Sequence, residues 1–201
     1  MDFDVLIIGG GVSGLQCALV LGSAKEKPFV VDKKIGIILH QKASHLQNAL
    51  FNNVLGLPAK TVGKNILVKG RQQLSTLYPA ISQIENEKVI SVDNFKDVYK
   101  VVTNKGTHTS KIVIIALNYS KPFTIKGLDT FIEPHEKANP EKNRIQLKNK
   151  EGFIKDGLYC CGTIAGCRSQ FAIAAGSGAA TATDILTLWN GGNHVKIHDK
   201  I

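Results

Sequence analysis

Aromatic side chains are scarce in this 201-residue sequence, at 6%, with one Trp and one Met. No stretch interleaves aromatics with basic residues, so the net charge of +9 reads as a solvated basic surface and not as a nucleic-acid groove. Acidic residues are few, 16 against 25 Lys and Arg, and the lysines are scattered. No apolar run approaches the roughly 20 residues that span a bilayer, which predicts no membrane partner. The segment Met1-Asp2-Phe3-Asp4 lacks the basic stretch and cleavage site of an export signal. Without such a signal, the four cysteines read as reduced thiols, not as a disulfide framework. The expectation is a cytoplasmic protein folding as a single domain over 1–201.

Glycine, in contrast, is plentiful, with 19 residues, and its placement carries the clearest signal. Asp4–Ile8 is a continuous apolar run suited to a strand buried on both faces. Gly9, Gly11 and Gly14 follow as G-x-G-x-x-G, and the next ten residues, LQCALVLGSA, have helical apolar spacing. Pro28–Asp32 then reads as a second strand closed by an acid, about 20 residues past the glycines. In such a unit Gly9 allows a tight exit from the strand. Gly11 lets a diphosphate approach the backbone, and Gly14 lets the helix pack on the sheet. The amides opening the helix face the phosphates, and Asp32 accepts from a ribose diol. A purely structural glycine turn is the alternative. The motif alone does not separate FAD from NAD(P).

Beyond Asp32 the chain reads as loop to about Lys64, with His40, His45 and Asn53 in it, and then as a polar helix over Gly70–Leu77. Lys88–Val92, Val98–Thr103 and Thr107–Ile115 read as a meander of antiparallel strands, turning at Asp93-Asn94 and Asn104-Lys105-Gly106. Residues 118–152 read mostly as connection, with a short strand at Ile145–Leu147. Gly157–Gly162 reads as a last buried strand, Phe171–Trp189 as a closely packed helix, and the tail after Asn190 as frayed.

Five pieces in order resemble the FAD-binding domain of thioredoxin-reductase-like flavoproteins, in the pyridine nucleotide-disulfide oxidoreductase superfamily. They are DVLIIGGGVSGLQCALVL, FNNVLGLP, the KVISVDN…YKVVTNKGTHTSKIVIIAL meander, GLYCCGTIAG and RSQFAIAAGSGAATA. The resemblance implies an α/β, Rossmann-like three-layer ββα sandwich: a parallel sheet plus a three-stranded antiparallel meander. It implies FAD as cofactor and places Gly9, Gly11, Val12, Ser13, Gly14, Asp32 and Lys33 at its diphosphate and ribose. Asn53 comes near the flavin, Val89 passes the adenine, and Ala116, Gly162 and Thr163 border the diphosphate and ribityl chain. Gln170 and Phe171 open a helix whose amides point at the flavin's pyrimidine edge.

The departures are as informative. The family inserts an NADP(H)-binding domain of roughly a hundred residues, bearing its C-x-x-C pair, where this sequence has only 118–156. Thr163 replaces an aspartate, and Ala116-Leu117-Asn118 replaces A-T-G. Cys160 and Cys161 read as small apolar residues alternating on a strand, and Cys17 as helix packing. His194 and His198 lack a third ligand for a metal site. The expectation is therefore a small FAD-dependent oxidoreductase whose electron donor and acceptor, a protein among the candidates, are not specified, and which can pair as a homodimer. A non-catalytic flavin-binding module and an NAD(P)-binding Rossmann protein are the alternatives.

Overall fold

Alternation along the first strand sets the layering. Val5 and Ile7 bury into one apolar core and Leu6 and Ile8 into another, so both faces of the strand are covered. The computed structural model describes residues 2–40 and 45–197. In chain order the first elements are β1 (Phe3–Ile8), α1 (Val12–Ser23), β2 (Ile35–Leu39), β3 (Leu50–Phe51), β4 (Thr61–Val62) and α2 (Gly63–Leu77). Then come β5 (Ser82–Glu85), β6 (Val89–Phe95), β7 (Val98–Thr103), β8 (Thr107–Ile115), β9 (Ile132–Pro134) and β10 (Ile145–Leu147). The last are β11 (Phe153–Lys155), β12 (Leu158–Cys160) and α3 (Phe171–Trp189).

The parallel strands run in the order β12-β8-β1-β2-β5, with β11 antiparallel at the outer edge. Strand β8 joins two layers. Its first half, Thr107–Ser110, pairs antiparallel with β7, and its second half, Val113–Ile115, lies between β1 and β12. Helices α1, α2 and α3 cover one face through Leu15, Leu21, Leu67, Leu74, Ile185 and Leu186. The meander β6-β7-β8 covers the other through Val89, Val92, Tyr99 and Val101. This is the three-layer arrangement expected from the sequence. Among the described residues, α3 is the one helix long and apolar enough to cross a bilayer by length and composition. Here it buries Gly178, Thr181, Ala182, Ile185 and Leu186.

Five local expectations are corrected. Pro28–Asp32 is not a strand: the Lys27 carbonyl accepts from both Val30 N and Val31 N, and Val30 O accepts from Lys33 N, so the segment coils in successive turns. The second strand is Ile35–Leu39, whose five residues are all buried. Helix α2 starts at Gly63, not Gly70, with Leu67 and Leu74 on its buried side. Strand β6 runs through Asp93-Asn94, and its hairpin turns at Lys96, which adopts φ +59°. Residues 118–152 are more than connection: β9 and β10 pair antiparallel, and Ile125, Leu128, Ile145 and Leu147 bury against the meander-side core. The tail is anchored at Val195, which packs into the helix-side core. His198 lies outside the described residues.

Candidate functional site

The chain leaves β1 where three strand ends meet. Gly9 N donates to Ile38 O at 3.0 Å, and Ala116 N donates to Ile8 O at 2.9 Å, binding the carboxyl ends of β1, β2 and β8 together. Gly9 has φ +122°, and a Cβ there would overlap the Ala116 carbonyl, so both its torsion and its surroundings require glycine. A Cβ at Gly14 would overlap the Gly9 carbonyl, which is the close helix-to-strand packing expected of the third glycine. Gly11 differs: nothing lies within 4 Å of where its Cβ would stand. It N-caps α1 without a side-chain hydrogen bond, and no acid sits in the first turn. The opening amides of α1 and its dipole are therefore available to an anion in the space before Gly11.

That space is a cleft of about 680 Å³ at the carboxyl end of the sheet, within the usual size of small-molecule and cofactor sites. Gly9–Ser13 form one wall. The ends of β2 and β8 contribute His40 and Ala116, and the start of β6 contributes Val89. At the far end stand Thr163, Gln170, which caps α3, and Phe171, its first residue. The Phe171 ring meets the Phe51 ring edge-on at 5.3 Å, closing that end with apolar surface. Asn53, just after β3, also lines the cleft. Beside Val89, Glu87 accepts from Thr103 Oγ1 at 2.7 Å and pairs with His108 Nε2 at 2.9 Å. Burial pushes its carboxyl up, but the hydrogen bonds from His108 and Thr103 outweigh this and hold it below the ordinary range.

Ten of the fourteen sequence-derived candidates thus line one cavity: Gly9, Gly11, Val12, Ser13, Asn53, Val89, Ala116, Thr163, Gln170 and Phe171. Gly14 and Gly162 stand behind the wall. Gly162 adopts φ +76°, and a Cβ there would come 2.5 Å from Ser13 Oγ. Asp32 and Lys33 do not join the site. They precede β2 at its amino end, whereas the cleft lies at the carboxyl ends of the strands. Lys33 instead rests its Nζ 5.6 Å from the Trp189 ring and offers its carbonyl to Lys25 Nζ. His40, directly after β2, occupies the edge assigned to Asp32. The signal was present in the sequence: Ile35–Leu39 is a longer uncharged apolar run than Pro28–Val31.

One further expectation is refined and one stands. The α3 terminus does not offer all its amides, because Gln170 Oε1 accepts from Ile173 N at 3.1 Å. The cysteines behave as apolar residues: Cys160 lies in the meander-side core, while Cys17 and Cys161 lie in the helix-side core. Burial pushes the Cys161 thiol up to about 12, despite an opposing hydrogen bond to Ser13. No group of His, Cys, Asp and Glu among the described residues could hold a metal ion.

No protein-family model matches the sequence. The ferredoxin–NADP reductase 1 of Listeria innocua is 30% identical over 159 residues, covering 75% of this chain and 44% of the reductase. The Listeria welshimeri protein of the same name is 29% identical over 154 residues, with the same coverage. The chain thus spans less than half the length of these curated relatives. Among solved structures, a thioredoxin reductase from Gloeobacter violaceus superposes with TM-score 0.73 at 16% identity, covering 100% of this chain and 98% of that one. A ferredoxin-flavin thioredoxin reductase from Clostridium acetobutylicum gives 0.69 at 17% identity, covering 95% and 99%.

Proposed function

We propose that this chain, whose fold is that of the FAD-binding domain of thioredoxin-reductase-like flavoproteins, holds one FAD in the cleft and serves as an FAD-dependent oxidoreductase. The observation that carries the reading is Gly11: open space at its Cβ position fronts a helix terminus with no side-chain cap, which is the cradle a diphosphate fills. The opening amides of α1 would hold the diphosphate. His40 and Val89 border the adenosine end, and Thr163 offers a hydroxyl to the ribityl chain. Phe51 and Phe171 shield the far end from water, and the start of α3 presents its remaining amides there. FAD, when bound, supplies hydride and single-electron transfer; the chain positions it and shapes access to it.

The curated relatives are named for ferredoxin and NADP, and a pyridine nucleotide donor with a small protein acceptor is the corresponding proposal here. Residues 118–156 stand where the family carries its own nucleotide domain, so the donor would bind this chain or a partner. A disulfide relay is not part of the proposal: Cys17, Cys160 and Cys161 are buried, and burial raises all three thiols. A cytoplasmic location and a homodimer belong to the same reading, and light scattering tests the second.

Absorbance titration of the purified protein with FAD is the test. A stoichiometric yellow complex is expected, bleached anaerobically by NADH or NADPH. Thr163, without carboxylate charge, favours a second reading as a non-catalytic flavin module, and stable colour that no donor bleaches would select it. A colourless protein that binds NAD(P) alone would replace both.

A further inference from the structure

A second hollow, of about 430 Å³, opens beside the N-terminus of α3, and Ser169 and Gln170 line both it and the larger cleft. Its walls carry Lys137, Lys142, Arg144 and Arg168, with no Asp or Glu among them. None of the ion pairs among the described residues engages any of these four cations. Lys137, Lys142 and Arg168 stand exposed at the rim, while Arg144 is half-buried.

Two residues of its wall, His135 and Arg144, carry buried donors without acceptors. His135 is 7% exposed, and its Nδ1 accepts from the Lys137 amide at 3.1 Å. That bond assigns the proton of the neutral ring to Nε2. Nε2 is buried and has no partner. Arg144 donates through Nη1 to Ser120 Oγ at 2.8 Å and lies 5.0 Å from the Tyr119 ring, yet its buried Nε is also unpartnered. Native proteins rarely leave buried donors unmet. Water could satisfy both donors, but it would bring no negative charge to a hollow lined by four cations and no acid. An oxyanion answers both demands, since it brings several acceptor oxygens and negative charge to a guanidinium fork. Four cations match a dianion better than a single carboxylate.

We propose that this hollow binds the phosphate-monoester group of a small co-substrate and seats that co-substrate beside the mouth of the larger cleft. Phosphate binding itself stands apart from the flavin reading; only the co-substrate's role as electron donor rests on it.

Calorimetric titration of the full chain at low salt tests the site, with inorganic phosphate, NAD⁺ and NADP⁺ as probes and flavin absorbance recorded separately. Inorganic phosphate should bind the wild type. Its affinity should fall about tenfold or more with Arg168→Ala, an exposed position that leaves the core intact, and with Arg144→Gln. Lys27→Ala, exposed and remote from the hollow, should change nothing. Tighter binding of NADP⁺ than NAD⁺, equalised by Arg168→Ala, would support the site and identify its source as a pyridine nucleotide's 2′-phosphate. Equal binding of the two, with phosphate binding still dependent on Arg168, would support it with another phosphate ester as the source. The proposal is overturned if neither phosphate nor NADP⁺ binds at millimolar concentration, or if Lys27→Ala weakens binding as much as Arg168→Ala. Loss of flavin with phosphate binding intact would defeat the cofactor reading alone.

Discussion

Gly178 of α3 lies against the first turn of α1 so closely that a Cβ at 178 would overlap the Ser13 carbonyl oxygen. One residue earlier, Ser177 Oγ accepts from Gly162 N at 2.9 Å. The last helix, the first helix and the turn after β12 are thereby clamped together directly behind the cleft. Gly178→Ala should lower stability by about 1–3 kcal/mol through overpacking. Gly176, on the same helix, has nothing within 4 Å of its Cβ position. Gly176→Ala should leave stability unchanged or raise it by up to about 1 kcal/mol through helix propensity. Denaturant midpoints of the two variants check the contrast.

Glu87 predicts a pH dependence. Its folded carboxyl lies below the ordinary value of 4.5, so the folded state binds that proton less readily than the unfolded chain does. The stabilisation is complete above the unfolded value and is lost as pH falls through the folded one. Glu87→Gln should therefore destabilise at neutral pH, and its difference from wild type should shrink steadily as the pH is taken below 4.5. Midpoints recorded across that range measure it; a difference that grows in acid would contradict the assignment.

The thiols should divide sharply. Cys17, Cys160 and Cys161 are buried and their thiols are pushed up, while Cys167 is half-buried. Since the thiolate is the reactive form, alkylation of the folded protein should modify Cys167 alone. All four should react in denaturant, as read by peptide mass spectrometry.

What was legible in the sequence follows what is local. The β1 run, the glycine spacing and the alanine-rich α3 each depend on near neighbours, and each stands as read. Strand β8 was legible because its β-branched residues Ile112–Ile115 are buried on both faces. Misreadings arose where tertiary context decides between similar runs. Phe29-Val30-Val31 has strand-like composition, but the Lys27 carbonyl draws it into turns and the sheet takes Ile35–Leu39 instead. That displacement put the expected ribose contact at Asp32, whereas His40 is the residue that follows the strand into the cleft. The basic hollow was invisible in the sequence because Tyr119, His135, Arg144 and Arg168 are far apart along the chain and meet only through β9, β10 and the start of α3.

His40 allows a direct check of that reassignment. Crossovers of this kind place a carboxylate at the end of the second strand to accept from the ribose diol. His40→Glu, which supplies that carboxylate, should tighten FAD by about tenfold. FMN, which lacks the adenosine, should bind both proteins alike. Fluorescence titration with the two flavins gives the answer, and an equal change for both would place His40 away from the ribose.

Counting flavin on a folded Gly11→Leu variant tests whether a diphosphate rests on the first turn. The Cβ position at Gly11 is open and the residue has φ −78°, a torsion any residue adopts, so the fold should persist by circular dichroism and thermal melting. The side chain would occupy the space assigned to the diphosphate. Released flavin measured by absorbance should approach one FAD per chain in the wild type and fall to the background level in the variant. A folded Gly11→Leu protein that retains FAD at the wild-type level would show that the diphosphate does not rest on this turn.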